Sequence, residues 1–417
     1  MTDRPAPQEH SQAKTKQRWL TRNVWTLSAV SFMQDAASEM LYPLMPILLT
    51  GIFGAPAAVL GIIEGLAEGV AATMKLASAW LNRFIPRKMM IGLGYGGAAL
   101  GKLIIAAAGS WPIVLVGRLT DRLGKGLRGA PRDALLVQGS HKDHRGRIIG
   151  FHRTADTLGA VLGPILALGL LAAFNNNVRQ VLWFAMIPAV ISTVMVVVVR
   201  DQEPSGRKAQ RLAEEAARIA TKEGEVLTIA EAQPHSPLSR RLRLVLATII
   251  GFGIINFPDA LVLLHVSQIG FSVTQVVSAY LLYNIAYAAL NFPAGWLADK
   301  VRPNVVYAVG VLCFAITYGG MAITSDHNVT LLLLAIYGGY AACNDTVGKS
   351  WVSKLSPESR QLWTQSLLQG LSGFSVLTAG LWAGLAWTLG AGAGVVPLAL
   401  SGLIALVVSG VVAFAKL

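Results

Sequence analysis

Charge is scarce in this sequence. Only 14% of its 417 residues are Asp, Glu, Lys or Arg, whereas a soluble protein carries about 25%. Cysteine is scarcer still: Cys313 and Cys343 are the only two, and both fall inside apolar runs. So placed, they form neither a disulfide framework nor a zinc site and read as buried, inert thiols. No G-x-S-x-G, Walker loop or H-E-x-x-H string occurs, so nothing supports an enzyme, a resident metal or an organic cofactor. The Gly-x-x-x-Gly spacings lie in apolar stretches, where close helix packing explains them. What the chain has in abundance is hydrophobic residues, 53% of the total, with a mean hydropathy of +0.54. That composition excludes disorder, a collagen-like chain and a coiled coil, and points to a membrane protein.

A helix crosses a bilayer with about 20 mostly apolar residues. Such runs lie near 24–49, 56–81, 88–108, 147–173, 179–199, 242–266, 273–297, 304–324, 329–349, 362–388 and 394–415. None reads as a cleaved signal peptide, because the first 23 residues are polar. Basic residues recur between alternate runs: Arg18 and Arg22, then Arg83, Arg87 and Lys88, then Lys142, Arg145 and Arg147, then the 200–243 link, Lys300 and Arg302, and Lys354 and Arg360. Arg179 is the main exception. Lys and Arg stay cytoplasmic, so the chain must cross once more between Gly109 and Lys142. The segment WPIVLVGRLTDRLGKGLRGAP (111–131) is the candidate, although its charges would hide it from a hydropathy window. Twelve spans with both termini cytoplasmic is the consistent count. The net charge of +13 is then an orientation label on the loops, with anionic lipid headgroups and no nucleic acid as neighbours.

At 100° per residue, Arg118, Asp121, Arg122, Lys125 and Arg128 lie within roughly 120° of one another on this fourth span. A charged stripe on an apolar helix is expected to face a water-filled or protein-lined cavity. The rival reading is a cytoplasmic amphipathic segment, which would invert the topology downstream.

The 200–243 stretch is polar, mixed in charge and rich in Ala and Glu, with Pro204, Pro234 and Pro237 bracketing it. It reads as a solvated connector. The expected organisation is a cytoplasmic tail (1–23), a six-helix bundle (24–199), a cytoplasmic linker (200–241) and a second six-helix bundle (242–417). The halves echo each other weakly: SAWLNR (78–83) matches GWLADK (295–300), and Asp35-Ala36 matches Asp259-Ala260. Paired halves with a site near the midplane between them are the architecture of secondary transporters.

These features resemble the major facilitator superfamily over the whole chain apart from the tail and the link. The family's loop motif, Gly-x-x-x-Asp-Arg/Lys, is matched at Gly295, Asp299 and Lys300. The first copy departs from it, with Ser78 for Gly and Asn82 for Asp, and only Arg83 kept. A similar string, Gly117-x-x-x-Asp121-Arg122-x-Gly124-Lys125-Gly126, stands in span four. The stretch DRLGKGLRGAPRDALL, followed by RGRIIGFHRTADTLGAVLGP, resembles one bacterial subgroup of transporters. Gly159-x-x-x-Gly163-Pro164 in span five is similar to the family's antiporter motif, which implies export. The resemblance implies an all-α fold of twelve transmembrane helices in two six-helix bundles, in the cytoplasmic (inner) membrane, working as a monomer.

The intramembrane charges carry the chemistry. Span one holds Asp35, Ser38 and Glu39, and span two holds Glu64, Glu68 and Lys75 on one arc. By depth, Asp35 and Glu68 fall near the midplane, and Arg118 and Arg122 reach the level of Glu64 and Glu68. Arg153 and Asp156 in span five lie nearer the cytoplasm. One reading is a salt-bridge lattice of these groups that holds the first bundle and lines its cytoplasmic gate, with Lys125, Arg128, Arg153 and Asp156 nearest the loops where such gates form. The other makes Asp35, Glu39, Glu64, Glu68 and Asp156 proton carriers, because burial disfavours the charged form of a carboxyl group. The second half is sparser, with Asn256, Asp259 and His265, then Tyr283, Asn284 and Tyr287, then Asn344, Asp345 and Lys349. His265 reads as a hydrogen-bonded histidine, and Asp345 with Lys349 as a helix pair. Substrate contact is expected from Asp35, Ser38, Glu68, Arg118, Arg122, Asn256, Asp259, Tyr283 and Asn284. The gate or motif positions are Gly159, Gly163, Pro164, Gly295, Asp299, Lys300, Asp121 and Lys125.

The function expected is proton-coupled secondary transport of a small molecule by alternating access, with efflux by antiport as the direction. The partners are protons, the substrate and membrane lipids, with the proton gradient in place of a cofactor. An importer, by symport or facilitation, of a solute, chelate or metal ion can be built from the same parts. A membrane sensor or partner-binding protein on a transporter scaffold is the alternative from another class.

Overall fold

The structure, a computed structural model, describes residues 20–82, 84–138, 145–201, 238–356, 361–389 and 394–414. Among them the chain is helical, without a strand. Grouped by continuity, the helices are α1 (Arg22–Leu41, carried on through Tyr42–Leu44 and Ile47–Ile52), α2 (Ala57–Leu81), α3 (Arg87–Ala106), α4 (Trp111–Val137), α5 (Arg145–Ala173) and α6 (Val178–Phe184 and Met186–Met195). They continue with α7 (Arg240–Gly253 and Asp259–Gln268), α8 (Val273–Lys300), α9 (Pro303–Ile323), α10 (His327–Ala342, Cys343–Val347 and Gly348–Leu355), α11 (Gln361–Leu389) and α12 (Val395–Phe414). The expected tail and central link fall mostly outside the described residues.

Local chemistry sets many of the ends. Thr21, Asn177, Ser239 and Asp326 each accept a hydrogen bond from a backbone N–H in the first turn of α1, α6, α7 and α10. Ser272 and Gln275 form a reciprocal capping box at the start of α8. Asn175 and Asn176 take positive φ in the turn after α5, a conformation that Asn tolerates better than most residues.

Among the described residues, eight helices are long and apolar enough to cross a membrane: α2, α3, α5, α6, α8, α9, α11 and α12. Their outer faces are greasy; Val197, Leu403, Val407 and Val411 are all well exposed, as lipid-facing residues are. The remaining four are α1, α4, α7 and α10, the first helix of each successive group of three. Each carries intramembrane polar residues or an interruption.

The first six helices pack mainly through α1 on α5 and α4 on α2 and α3, the last six through α9 on α12 and α10, and α10 on α8. The halves meet along α2 with α11 and α5 with α8. Glycine makes the first seam possible: a β-carbon added at Gly380 would lie 2.6 Å from the Gly61 carbonyl oxygen. One end of the molecule carries Arg87, Arg240, Arg241, Lys300 and Arg302 at or beside helix ends and is termed the basic end below. There Asn23 bonds Arg200 both ways, at 2.6 and 3.0 Å, closing α1 onto the end of α6.

Three expectations are revised. Span seven is not one helix: the ladder breaks at 254–258, because Pro258 brings no N–H to continue it. Span four does not stop at Pro131 but runs through it to Val137. Cys313 and Cys343 are free as expected but half-buried.

Candidate functional site

The stripe on α4 divides between two neighbours. Arg118 meets Glu64 of α2 in a bidentate pair, Nε to Oε1 at 2.8 Å and a terminal nitrogen to Oε2 at 2.7 Å. Both side chains are almost fully buried. A planar guanidinium on a carboxylate is the geometry that best repays burial of two charges. One turn on, Arg122 lies 3.3 Å from the partly exposed Glu68. Both pairs lie at the matching levels that depth along the helices implied. Asp121 instead turns to α3, where Lys102 Nζ reaches it at 2.6 Å, with an Arg118 nitrogen at 3.8 Å. Arg128 also faces α3, its guanidinium 4.3 Å from the centre of the Tyr95 ring. Thus Asp121 and Arg128 belong to the packing between α3 and α4, and Arg118 and Arg122 to the side facing α2. Lys125 stays exposed.

Asp35 stands apart. It is half-buried on α1, and among the described residues it makes no hydrogen bond or ion pair. Its electrostatic neighbours are Asp156, Lys125, Arg128 and Glu39. The span-five motif lies directly against its helix. A β-carbon added at Gly159 would sit 2.5 Å from the Phe32 carbonyl and 3.2 Å from Asp35 Cβ. One added at Gly163 would sit 2.6 Å from the Ala36 carbonyl and 2.8 Å from Glu39 Cβ. The two glycines therefore let α5 approach α1 at the turn that presents Asp35 and Glu39. Pro164 continues α5 without ending it. Asp156, one turn before the motif, lies 3.7 Å from His152 and 3.8 Å from Arg153. Ser38 is tied to its own helix, donating to the Gln34 carbonyl at 3.0 Å.

Glu39 reaches across the halves: the Tyr280 hydroxyl of α8 donates to it at 2.5 Å. Tyr42, one turn further, accepts the Ala260 backbone N–H at 3.2 Å and lies under the Arg118 guanidinium, 5.3 Å from its ring centre. The break in α7 would leave backbone groups without partners in the membrane interior, which is tolerated only where protein or water satisfies them. Tyr42 satisfies the second segment's amide, and Trp382 of α11 donates to the Ile254 carbonyl at 2.7 Å. The break thereby holds Asn256 and Asp259 in the lining of a cavity of about 300 Å³. Its walls include Tyr283 of α8 and Tyr337, Tyr340 and Asn344 of α10. The Tyr337 hydroxyl donates to Asp259 at 2.7 Å, and Tyr283 is a second hydrogen-bond partner.

Asn284, expected at the substrate, does not line this cavity. It is buried and donates to the Tyr280 carbonyl at 3.0 Å, one turn back on its own helix. Lys300 covers the Trp296 ring at 3.8 Å, whereas the side chains of Gly295, Asp299 and Asp345 lie outside the description. His265 is buried on the second segment of α7. Residues that the sequence reading passed over are Lys102, Tyr42, Tyr280, Tyr337, Tyr340 and His152. A lysine in the middle of an apolar run was the available signal for the first; the tyrosines sit in runs that read simply as spans. Among the described residues, no group of three His, Cys, Asp or Glu side chains is arranged to hold a metal.

The profile of the Major Facilitator Superfamily matches residues 27–278 and 244–416. The chain belongs to the major facilitator superfamily. An MFS-type transporter of Methanocaldococcus jannaschii is 27% identical over 397 residues, covering 93% of this chain and 94% of that protein. A triacylglyceride transporter of Mycolicibacterium smegmatis is 32% identical over 135 residues, 32% of this chain and 24% of the relative. Among solved structures, the peptide transporter POT superposes with a TM-score of 0.73 at 16% identity, over 94% of this chain and 93% of that one. The nucleoside transporter NupG does so with 0.72 at 12% identity, over 94% and 98%. At such identities these likenesses show the fold alone. Family and fold together make the chain a multi-pass membrane transporter.

Proposed function

We propose that this member of the superfamily is a proton-coupled secondary transporter with twelve spans, working by alternating access and exporting a small molecule by antiport. Both termini are placed on the cytoplasmic side of the inner membrane, because the basic end then faces the cytoplasm. The observation that carries the coupling is Asp35: an intramembrane carboxyl group without an ion pair among the described residues, on the face of α1 clamped by Gly159 and Gly163. An ionisable group at that depth is functional by default. Its helix reaches the second half through Glu39 and Tyr280, so a change of charge at Asp35 can bias how the halves dock. Glu68 with Arg122 is the companion pair, open enough to re-form as the proton moves. Export rests on the resemblance of the α5 motif to that of antiporters.

The halves touch at the end opposite the basic one through Asn176 and Thr274, 2.9 Å apart. The principal partners of α4 lie all in the first half and those of α10 all in the second. This arrangement fits a conformation whose cavity opens between α4 and α10 toward the basic end. The match to the triacylglyceride transporter covers too little of either chain to bring that cargo here.

The test is proteoliposomes loaded with a pH-sensitive dye, given an imposed gradient and presented with a panel of small polar compounds. Antiport is expected to speed proton flux when the compound is on the side opposite the protons, and symport when it is on the same side. Coupling fails if Asp35→Asn and Glu68→Gln both leave gradient-driven flux unchanged.

A further inference from the structure

We propose that the tyrosine-walled cavity of the second half is a recognition site for the ammonium group of a small organic amine, with Asp259 as its counter-ion. The proposal rests on the transport reading and names the class of substrate. Among the described residues, Asp259 is the only charged one in the cavity wall, and no described Lys, Arg or His lines it. In the first half, Arg118 is committed to Glu64 and Arg122 to Glu68. Glu39 and Glu68 add negative field at Asp259. A site with one carboxylate and no compensating base is complementary to a single positive charge.

Its walls have the matching chemistry. Tyr283 stacks on Tyr337 with ring centres 5.2 Å apart, and Tyr337 on Tyr340 at 5.4 Å. Stacked on one another, the rings form a rigid apolar wall, and in such low-dielectric surroundings the attraction of a cation to a carboxylate is stronger than in open water. The two tyrosine hydroxyls on Asp259 fix its carboxylate yet leave lone pairs for a ligand, since a carboxylate offers about four acceptor sites. Tyr340 gives a second, independent sign. It is only 3% exposed, lines the cavity, and its hydroxyl has no hydrogen-bond partner among the described residues. The oxygen of such a buried hydroxyl is an acceptor that an N–H of a primary ammonium can use. The volume, about 300 Å³, sits at the small end of ligand pockets, roughly 300–1,000 Å³, which suits a compact monoamine.

The test uses the full-length chain purified in detergent and four probes of matched shape: phenethylamine, N,N,N-trimethylphenethylammonium, 2-phenylethanol and 3-phenylpropionate. The two cations are expected to bind at least about tenfold more tightly than the alcohol or the carboxylate, the size of one charge pairing in a desolvated site. Asp259→Asn is expected to abolish that preference, and Tyr337→Leu, which removes a wall of the cavity and one hydrogen bond to Asp259, to weaken both cations several-fold. Equal binding of the alcohol, preference for the carboxylate, or no binding of any probe would overturn the proposal. So would undiminished preference for cations in a folded Asp259→Asn chain. Selectivity of the unaltered protein decides the matter even if a variant fails to fold. Loss of proton coupling with cation selectivity intact removes the transport mechanism and leaves the amine site; the reverse removes only the amine site.

Discussion

Arg118 and Glu64 share two hydrogen bonds at a depth where neither has water to fall back on. Removing one partner leaves the other as an uncompensated buried charge, an effect of about 3–5 kcal/mol. Arg118→Gln is therefore expected to lower the thermal unfolding temperature of the purified chain strongly. Arg118→Gln combined with Glu64→Gln is expected to recover much of the loss, because both charges then vanish together. If the double variant is as unstable as the single one, the pair is not what holds α4 to α2. The same physics separates Asp121 from Asp35. Asp121 has Lys102 at 2.6 Å and serves the packing of α3 on α4. Asp35 has no such base within ion-pair distance among the described residues, which makes it the group on which coupling is proposed to turn.

At the level of elements, the decisive contacts are backbone against backbone. α5 can lie against α1 at Asp35 and Glu39 only because positions 159 and 163 lack a side chain. Gly163→Val is expected to push the helices apart, destabilising by about 1–3 kcal/mol and reducing proton-driven transport. Gly169→Ala in the same helix, with nothing within 4 Å of its added carbon, serves as the control and is expected to be silent. Tyr42→Phe removes the acceptor of the Ala260 N–H at the break in α7. Leaving such a group unsatisfied costs about 1–3 kcal/mol, so a lower unfolding temperature is expected with the helical content retained.

These elements also mark how far the sequence could be read. Most helices were legible as apolar runs, and α4 was recoverable by counting which loops are basic, despite its charges. That Arg118 and Arg122 reach the level of Glu64 and Glu68 followed from depth alone, because the alternating direction of successive spans fixes the height of each residue. Azimuth did not follow: Asp121 and Arg128 share the stripe by angle but turn to α3, since the direction in which a helix presents its edge depends on its neighbours. The break at 254–258 escaped notice because Phe257, Ile254 and Ile255 keep the run apolar through it. Tyr337 and Tyr340 read as ordinary members of a span until the fold placed Asp259 beside them.

For the whole molecule, two seams and a few cross-links decide which end is open. Tyr280 on Glu39 and Thr274 on Asn176 hold the halves together away from the basic end. In a chain with Cys313 and Cys343 replaced by serine, Asn176→Cys with Thr274→Cys is expected to cross-link readily and to stop transport reversibly, as a molecule locked on one side must. Tyr280→Phe, which removes the donor to Glu39, is expected to slow that cross-linking by shifting the population toward the opposite opening. Free turnover in the fully cross-linked protein would exclude alternating access about these seams.

The most direct test of proton coupling at Asp35 needs no knowledge of the cargo. Proteoliposomes on a solid-supported membrane, given a sudden pH step, report proton uptake by intramembrane groups as a transient current. The unaltered chain is expected to give a current that Asp35→Asn abolishes and Glu68→Gln reduces but retains. A current of full size in folded Asp35→Asn protein, or none in the unaltered chain, would contradict the assignment of the proton to Asp35.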